Sequence, residues 1–143
     1  MNQAILQIVC GVLGTFAFAL FFHVAPRHLV LATVGGGLSW LLYLLVFAQG
    51  NGVFLSALAA SFGICLWSEI MARVRKAPTN IFLIPGIIPL LPGGSLYYTM
   101  NALINGDMAT VIQRGKETGL MALGIVVAMV RTAHDQQLSL IHI

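Results

Sequence analysis

Charged side chains are scarce in this sequence. Seven Lys and Arg and four Asp and Glu occur among 143 residues, which is 8% of the chain. A soluble domain usually carries about 25% charged residues. Because 59% of the residues are hydrophobic, the composition excludes an ordinary soluble domain and indicates an integral membrane protein. The few basic residues form no nucleic-acid-binding surface, so no nucleic-acid partner is expected.

Cysteine is also rare. Cys10 and Cys65 both lie inside apolar runs, and their spacing matches no metal or redox motif, so both are expected to be small buried hydrophobic residues. His23 and His28 are separated by a proline-containing turn and do not present two ligands on one helix face. No metal ion and no cofactor is expected.

The sequence lacks the patterns of an intramembrane enzyme. With four acidic residues, no paired carboxylates occur at one depth, and neither a Ser/His/Asp arrangement nor an H-E-x-x-H motif is found. The expected function is therefore not enzymatic.

Long apolar segments account for most of the chain. Three of them, 4–25, 29–48 and 53–72, are long enough to cross a hydrocarbon layer of roughly 30 Å as helices. A fourth apolar region, 81–104, is interrupted by prolines, and a fifth, about 108–131, has a short uninterrupted apolar core. The sequence predicts an all-α membrane protein with about five transmembrane helices in a single domain.

Basic residues are concentrated in alternate connections. Arg27 follows the first segment and Arg73, Arg75 and Lys76 follow the third, whereas the second connection, QGNG, has no charge. Because short cytoplasmic loops accumulate Lys and Arg, the N-terminus is predicted to lie outside and the C-terminus in the cytoplasm. An odd number of helices favours completion by an oppositely inserted partner, as in inverted-repeat transporters.

The fourth apolar region contains the residues least suited to a helix. The stretch IPGIIPLLPGG, residues 84–94, has three prolines and three glycines among isoleucines and leucines. Proline costs about 3 kcal/mol in a helix interior, and in lipid the freed carbonyl groups find no water. We expect a discontinuous or re-entrant segment, with one half ending near Gly86 and a second half-helix beginning after Pro92. A proline-kinked packing helix without a ligand is the alternative.

The start of the second half-helix is the candidate binding site. Gly93 and Gly94 allow close approach to free backbone N–H groups at the positive end of the helix dipole, and Ser95 is a candidate N-cap residue. Discontinuous helices of secondary transporters bind carboxylates in this way, so a small anion or zwitterion is the expected substrate. Ser95, Tyr98 and Asn101 are predicted to line the site, unless the tyrosines form an interfacial belt.

A second polar group lies at the end of the third segment. Glu69 and Arg73 are four residues apart and share one helix face. Two interpretations are open: the residues serve coupling and gating, with Glu69 carrying the coupling proton of an exporter, or they form an interfacial ion pair. Thr79 and Asn80, just before the apolar run, are expected to cap a helix rather than to form a cytoplasmic gate.

The sequence around the prolines resembles that of a known family. The stretch KAPTNIFLIPGIIPLLPGGSLYYTM (76–100) resembles the signature of the threonine/serine exporter family, and FALFFHVAPRHL (18–29) is similar to the family's first connection. The resemblance extends to about residue 135. The site residues that it implies are those of the Pro/Gly motif: Pro85, Gly86, Pro89, Pro92 and Gly93.

The chain length resembles that of the small subunit in the split, two-component form of the family, which corresponds to the C-terminal five-helix half of one-chain exporters. The resemblance implies a protein of the bacterial inner membrane. Together with a larger membrane subunit it would export threonine and serine or a dicarboxylate such as succinate. A non-transporting scaffold or assembly subunit is the alternative. The glycines at 35–37 suit close helix contacts with that partner or with a second copy.

The last six residues differ in character from the rest. LSLIHI, residues 138–143, resembles the translation of a sequencing adaptor and follows the polar stretch TAHDQQ. The native transmembrane domain is therefore expected to comprise residues 1–137, with 138–143 a non-native tail.

Overall fold

The computed structural model describes residues 1–141, and within that range it contains six α-helices and no β-strand. The helices are α1 (Asn2–Phe21), α2 (Pro26–Ala48), α3 (Val53–Arg75), α4 (Asn80–Ile87), α5 (Gly93–Ile104) and α6 (Met108–Ile141). The all-α prediction is confirmed. Of the tail predicted to be non-native, residues 138–141 continue α6, and residues 142–143 lie outside the described residues.

Three helices, α1, α2 and α3, are each long and apolar enough to cross a membrane. Helices α4 and α5 meet the same requirements together, as a pair bent by 42° at a short break. Helix α6 is the longest, with 34 residues, but its apolar part is too short to meet them. The described part of the chain therefore supplies three spans, or four with the bent pair.

Helix α3 packs against both α2 and α6. A Cβ atom at Gly124 of α6 would lie 3.0 Å from the backbone of α3, at the oxygen of Phe54 and the nitrogen of Leu58. In lipid, where no hydrophobic force drives helices together, such close backbone approach at small residues is a main source of association. The contact therefore fixes α6 on the bundle.

The glycines at 35–37 face neighbours within the same chain. A Cβ atom at Gly35 would lie 2.8 Å from Cδ1 of Trp67 in α3, one at Gly36 would overlap Thr15 of α1, and one at Gly37 would lie 2.9 Å from Val12. The prediction that these glycines contact a partner or a second copy is wrong, because α1 and α3 already occupy the space beside them.

Helix α6 begins just after a capping residue, Asp107. Asp107 accepts hydrogen bonds from the hydroxyl and the backbone N–H of Thr110. These bonds, the hydroxyl first, lower the pKa of the Asp107 carboxyl below its ordinary value. The stabilisation is therefore complete above the ordinary carboxyl pKa and is lost as the pH falls through the lowered value.

Replacing Gly124 by Val should destabilise the protein more than replacing Gly119, which lies five residues earlier on the same helix. A side chain at Gly124 meets the α3 backbone, whereas a Cβ atom at Gly119 has no neighbour within 4 Å. We expect a loss of about 1–3 kcal/mol for Gly124→Val from overpacking. Thermal unfolding of the two purified variants in detergent measures the difference, and equal midpoints would contradict the α3–α6 contact.

Candidate functional site

The break in the fourth apolar region is present in the structure. Helix α4 ends at Ile87, a 3₁₀ turn covers Ile88–Leu90, and α5 begins at Gly93. Pro89 and Pro92 have no N–H to donate, so the hydrogen bonding of an α-helix is interrupted here. The two halves end and begin within a residue of the predicted positions.

The first half of the motif is packed into the protein core. Pro85 and Gly86 are buried, and a Cβ atom at Gly86 would overlap the side chain of Ile64 in α3. The hydroxyl of Ser39 in α2 lies 3.0 Å from the carbonyl oxygen of Gly86 and 2.8 Å from that of Gly36. Because the last carbonyl groups of a helix lack an intrahelical donor, Ser39 provides one where α4 ends.

The second half of the motif is open. A Cβ atom at Gly93 or Gly94 would have no neighbouring atom within 4 Å. The N-cap position of α5 is occupied by Pro92, and no side chain caps the helix. The prediction that Ser95 is the N-cap residue is therefore wrong: the backbone becomes helical directly after Pro92, which makes Ser95 the third residue of α5.

Two backbone N–H groups are free at this helix start. The N–H of Gly93 donates to the carbonyl oxygen of Leu91 at 2.7 Å. The hydrogen bonds within residues 1–141 include none from the N–H of Gly94 or Ser95. An anion is the natural acceptor for such groups, since the positive end of the helix dipole lies behind them.

Tyr98 and Asn101 are exposed residues further along α5, a helix that packs against α6. The ring of Tyr98 lies 5.6 Å from that of Tyr97, and the guanidinium of Arg114 lies 5.7 Å from the Tyr98 centroid. Asn101 accepts a long hydrogen bond from Asn105, at 3.5 Å. The contacts of these two side chains are thus with Tyr97, Arg114 and Asn105, and not with the free N–H groups.

Glu69 and Arg73 line a separate cavity of about 310 Å³ beside the end of α3. No N–O distance between them is within the 4.0 Å limit of an ion pair, whereas Arg114 and Glu117 of α6 are paired at 3.1 Å. The predicted interfacial ion pair is thus not formed. Thr79 does occupy the N-cap position of α4, but its side chain makes no capping hydrogen bond.

Sequence reasoning missed Ser39 and the indole of Trp67. The Trp67 N–H donates to the carbonyl oxygen of Leu31 at 3.1 Å and joins α3 to α2. A single serine or tryptophan in an apolar segment carries no indication of its partner. For Ser39, the one available signal was a hydroxyl group in an otherwise apolar helix.

The chain matches the model of a known family. The family model described as Threonine/Serine exporter, ThrE, matches residues 7–133. The chain belongs to the threonine/serine exporter family. The matched region includes most of α1, all of α2 to α5 with the broken segment, and most of α6. Membership of the threonine/serine exporter family supports a membrane protein with a general role in transport. No curated protein and no solved structure matches the chain.

Replacing Ser39 by Ala should destabilise the protein at the break between α4 and α5. The change leaves a buried carbonyl group of Gly86 without its hydroxyl donor, at an expected cost of about 1 kcal/mol. Ser56→Ala is the matched control, because the Ser56 hydroxyl bonds only to the carbonyl oxygen of Gly52, four residues earlier in the chain. The thermal midpoint in detergent should fall further for Ser39→Ala. An equal fall in both variants would contradict a stabilising hydrogen bond from Ser39 to Gly86.

Proposed function

We propose that this chain is the small subunit of a secondary transporter that exports a small carboxylate-bearing metabolite. The observation that carries the proposal is the open start of α5, where the N–H groups of Gly94 and Ser95 are free and no side chain obstructs Gly93. This helix start follows a proline break inside an apolar segment of membrane-spanning length. Family membership supports transport in general.

The chemistry of the helix start favours a carboxylate. A negative charge at a helix N-terminus gains about 0.3–1 kcal/mol near a surface and up to about 2 kcal/mol where it is partly buried. Free N–H groups add charge-assisted hydrogen bonds to the carboxylate oxygens. Pro85, Gly86, Pro89 and Pro92 serve this site by holding the two half-helices apart, while Gly93 and Gly94 leave room for the ligand.

The exposure of the same helix start supports a partner subunit. Unpaired backbone at membrane depth is tolerated only when protein covers it or when it lines a water-filled cavity. Within residues 1–141 nothing covers Gly93 and Gly94. We propose that a larger subunit with an inverted five-helix half completes the site and that the exporter acts in the bacterial inner membrane. A homo-oligomer would be a second way to cover this surface.

The topology that goes with this proposal has five spans. Helices α1 to α3 and the bent pair supply four. We propose α6 as the fifth: its apolar stretch at 119–130 is too short to cross by itself, and it crosses packed against α3. The N-terminus lies outside and the C-terminus in the cytoplasm, which places Arg73, Arg75 and Lys76 inside. Glu69 and Arg73 then lie at the cytoplasmic end, and we propose that they serve coupling and gating there.

A scaffold or assembly subunit is the second candidate. The observation that favours it is the exposure of Tyr98 and Asn101 in α5, since a larger partner that supplied every ligand contact would leave these side chains unused.

The substrate of the leading proposal is threonine or serine, or a dicarboxylate such as succinate. A helix N-terminus accepts the carboxylate of any of them.

Replacing Gly93 by Val should abolish export while the protein still folds. The added side chain has open space in this chain, so folding is preserved, but its methyl groups obstruct the approach of a carboxylate to the N–H groups that follow. The measurement is efflux of threonine and of succinate from cells that lack both native subunits and carry this chain with a large-subunit partner.

Gly14→Val is the matched control, because Gly14 is also a helical glycine whose Cβ position has no neighbour within 4 Å. It should retain wild-type efflux. Wild-type efflux by Gly93→Val, with normal amounts of assembled complex, would rule out the proposed site and leave the scaffold role. Efflux by the chain without its partner would overturn the two-subunit arrangement.

A further inference from the structure

We infer that the cavity lined by Glu69 and Arg73 is a second binding site, which takes a zwitterionic α-amino acid in preference to a dicarboxylate. This inference rests on the proposed export function and selects among its substrates. The cavity is separate from the start of α5 and lies where the end of α3, the α3–α4 connection and the last turns of α6 meet.

The polar groups around this cavity have no protein partners. The residues that line it include four with polar side-chain groups, Glu69, Arg73, Thr79 and Gln136. None of these four groups takes part in a side-chain hydrogen bond or ion pair within the described residues. All four precede the predicted non-native tail, whose described part reaches the cavity at Leu140.

Glu69 and Arg73 do not form an ion pair, although their spacing on α3 would permit one. Residues four apart on a helix can form an ion pair worth about 0.3–0.5 kcal/mol. Here both residues line one cavity, and they form no ion pair with each other. Glu69 is half-buried and Arg73 is exposed. The cavity thus presents one negative and one positive group to the same small volume.

These two charges match the two ends of an α-amino acid. A guanidinium binds a carboxylate through two parallel N–H bonds, and the Glu69 carboxylate can accept the bonds of an ammonium group. Thr79 and Gln136 supply groups for a side-chain hydroxyl such as that of threonine or serine. A volume of about 310 Å³ is at the lower end for small-molecule sites.

A dicarboxylate fits the same cavity poorly. One of its carboxylates can bind Arg73, but the other then lies beside the like charge of Glu69. Like charges brought together at a site reject a ligand that the remaining contacts would accept. The cavity therefore discriminates by charge, which a helix N-terminus cannot do between two ligands that both carry a carboxylate.

Helix α4 connects this cavity to the break. It begins directly after Thr79 and ends at Ile87, and its eight residues span about 12 Å at 1.5 Å per residue. An amino acid released from Glu69 and Arg73 thus lies one short helix away from the segment that leads into α5. The cavity is in the right place to select the substrate before the open helix start receives its carboxylate.

The test is ligand binding to the purified full-length chain in detergent. Isothermal titration would compare L-threonine, N-acetyl-L-threonine, which lacks the ammonium group, and succinate. We expect L-threonine to bind at least about tenfold more tightly than either of the others, as a single lost bond to a charged group predicts. Glu69→Gln and Arg73→Gln should each weaken threonine binding by about tenfold or more. Glu69→Gln should also reduce the difference in affinity between threonine and succinate.

Arg75→Gln is the matched control, because Arg75 is exposed on the same helix and does not line the cavity; threonine should bind it as it binds the wild type. Wild-type affinities that are equal for threonine and succinate, or unchanged in Glu69→Gln, would overturn the inference. The proposed function fails by a different result, the loss of all carboxylate efflux in cells that carry the wild-type chain and its partner.

Discussion

A polypeptide backbone in lipid must have its polar groups satisfied by protein or by enclosed water, and the rest of this structure depends on that constraint. The prolines between Pro85 and Pro92 interrupt a segment that is otherwise apolar enough to span a membrane. The chain meets the constraint on one side of the break only. The Ser39 hydroxyl contacts the end of α4, whereas the N–H groups of Gly94 and Ser95 have no partner among the described residues.

This asymmetry separates two uses of glycine. Gly36, Gly86 and Gly124 lie where a Cβ atom would meet a neighbouring helix, so their small size holds the bundle together. Gly93 and Gly94 have no such neighbour, so their small size leaves backbone accessible. The first group explains how α1 to α4 and α6 pack without a hydrophobic driving force. The second is the feature that a passing anion and a covering subunit would use.

The start of α5 and the cavity at the end of α3 also differ in the charges that they offer a ligand. The start of α5 offers only positive potential, and the cavity at the end of α3 offers one charge of each sign from Glu69 and Arg73. The two regions are joined by α4, which is rigidly packed at Pro85 and Gly86. If both regions bind the substrate as we propose, an ammonium-bearing carboxylate is complementary to both, while a doubly negative substrate is complementary to the first alone.

The sequence by itself determined the all-α membrane class and the break near Pro89, because apolar length and proline act on neighbouring residues. It failed where the outcome depends on residues distant in the chain. Ser39 meets Gly86 across 47 positions, and the glycines at 35–37 turned out to face α1 and α3. Glu69 and Arg73 share a helix face, yet whether they pair depends on what α6 and the α3–α4 connection place beside them. Tertiary structure alone decided these contacts, because helix packing selects which faces meet and local spacing does not.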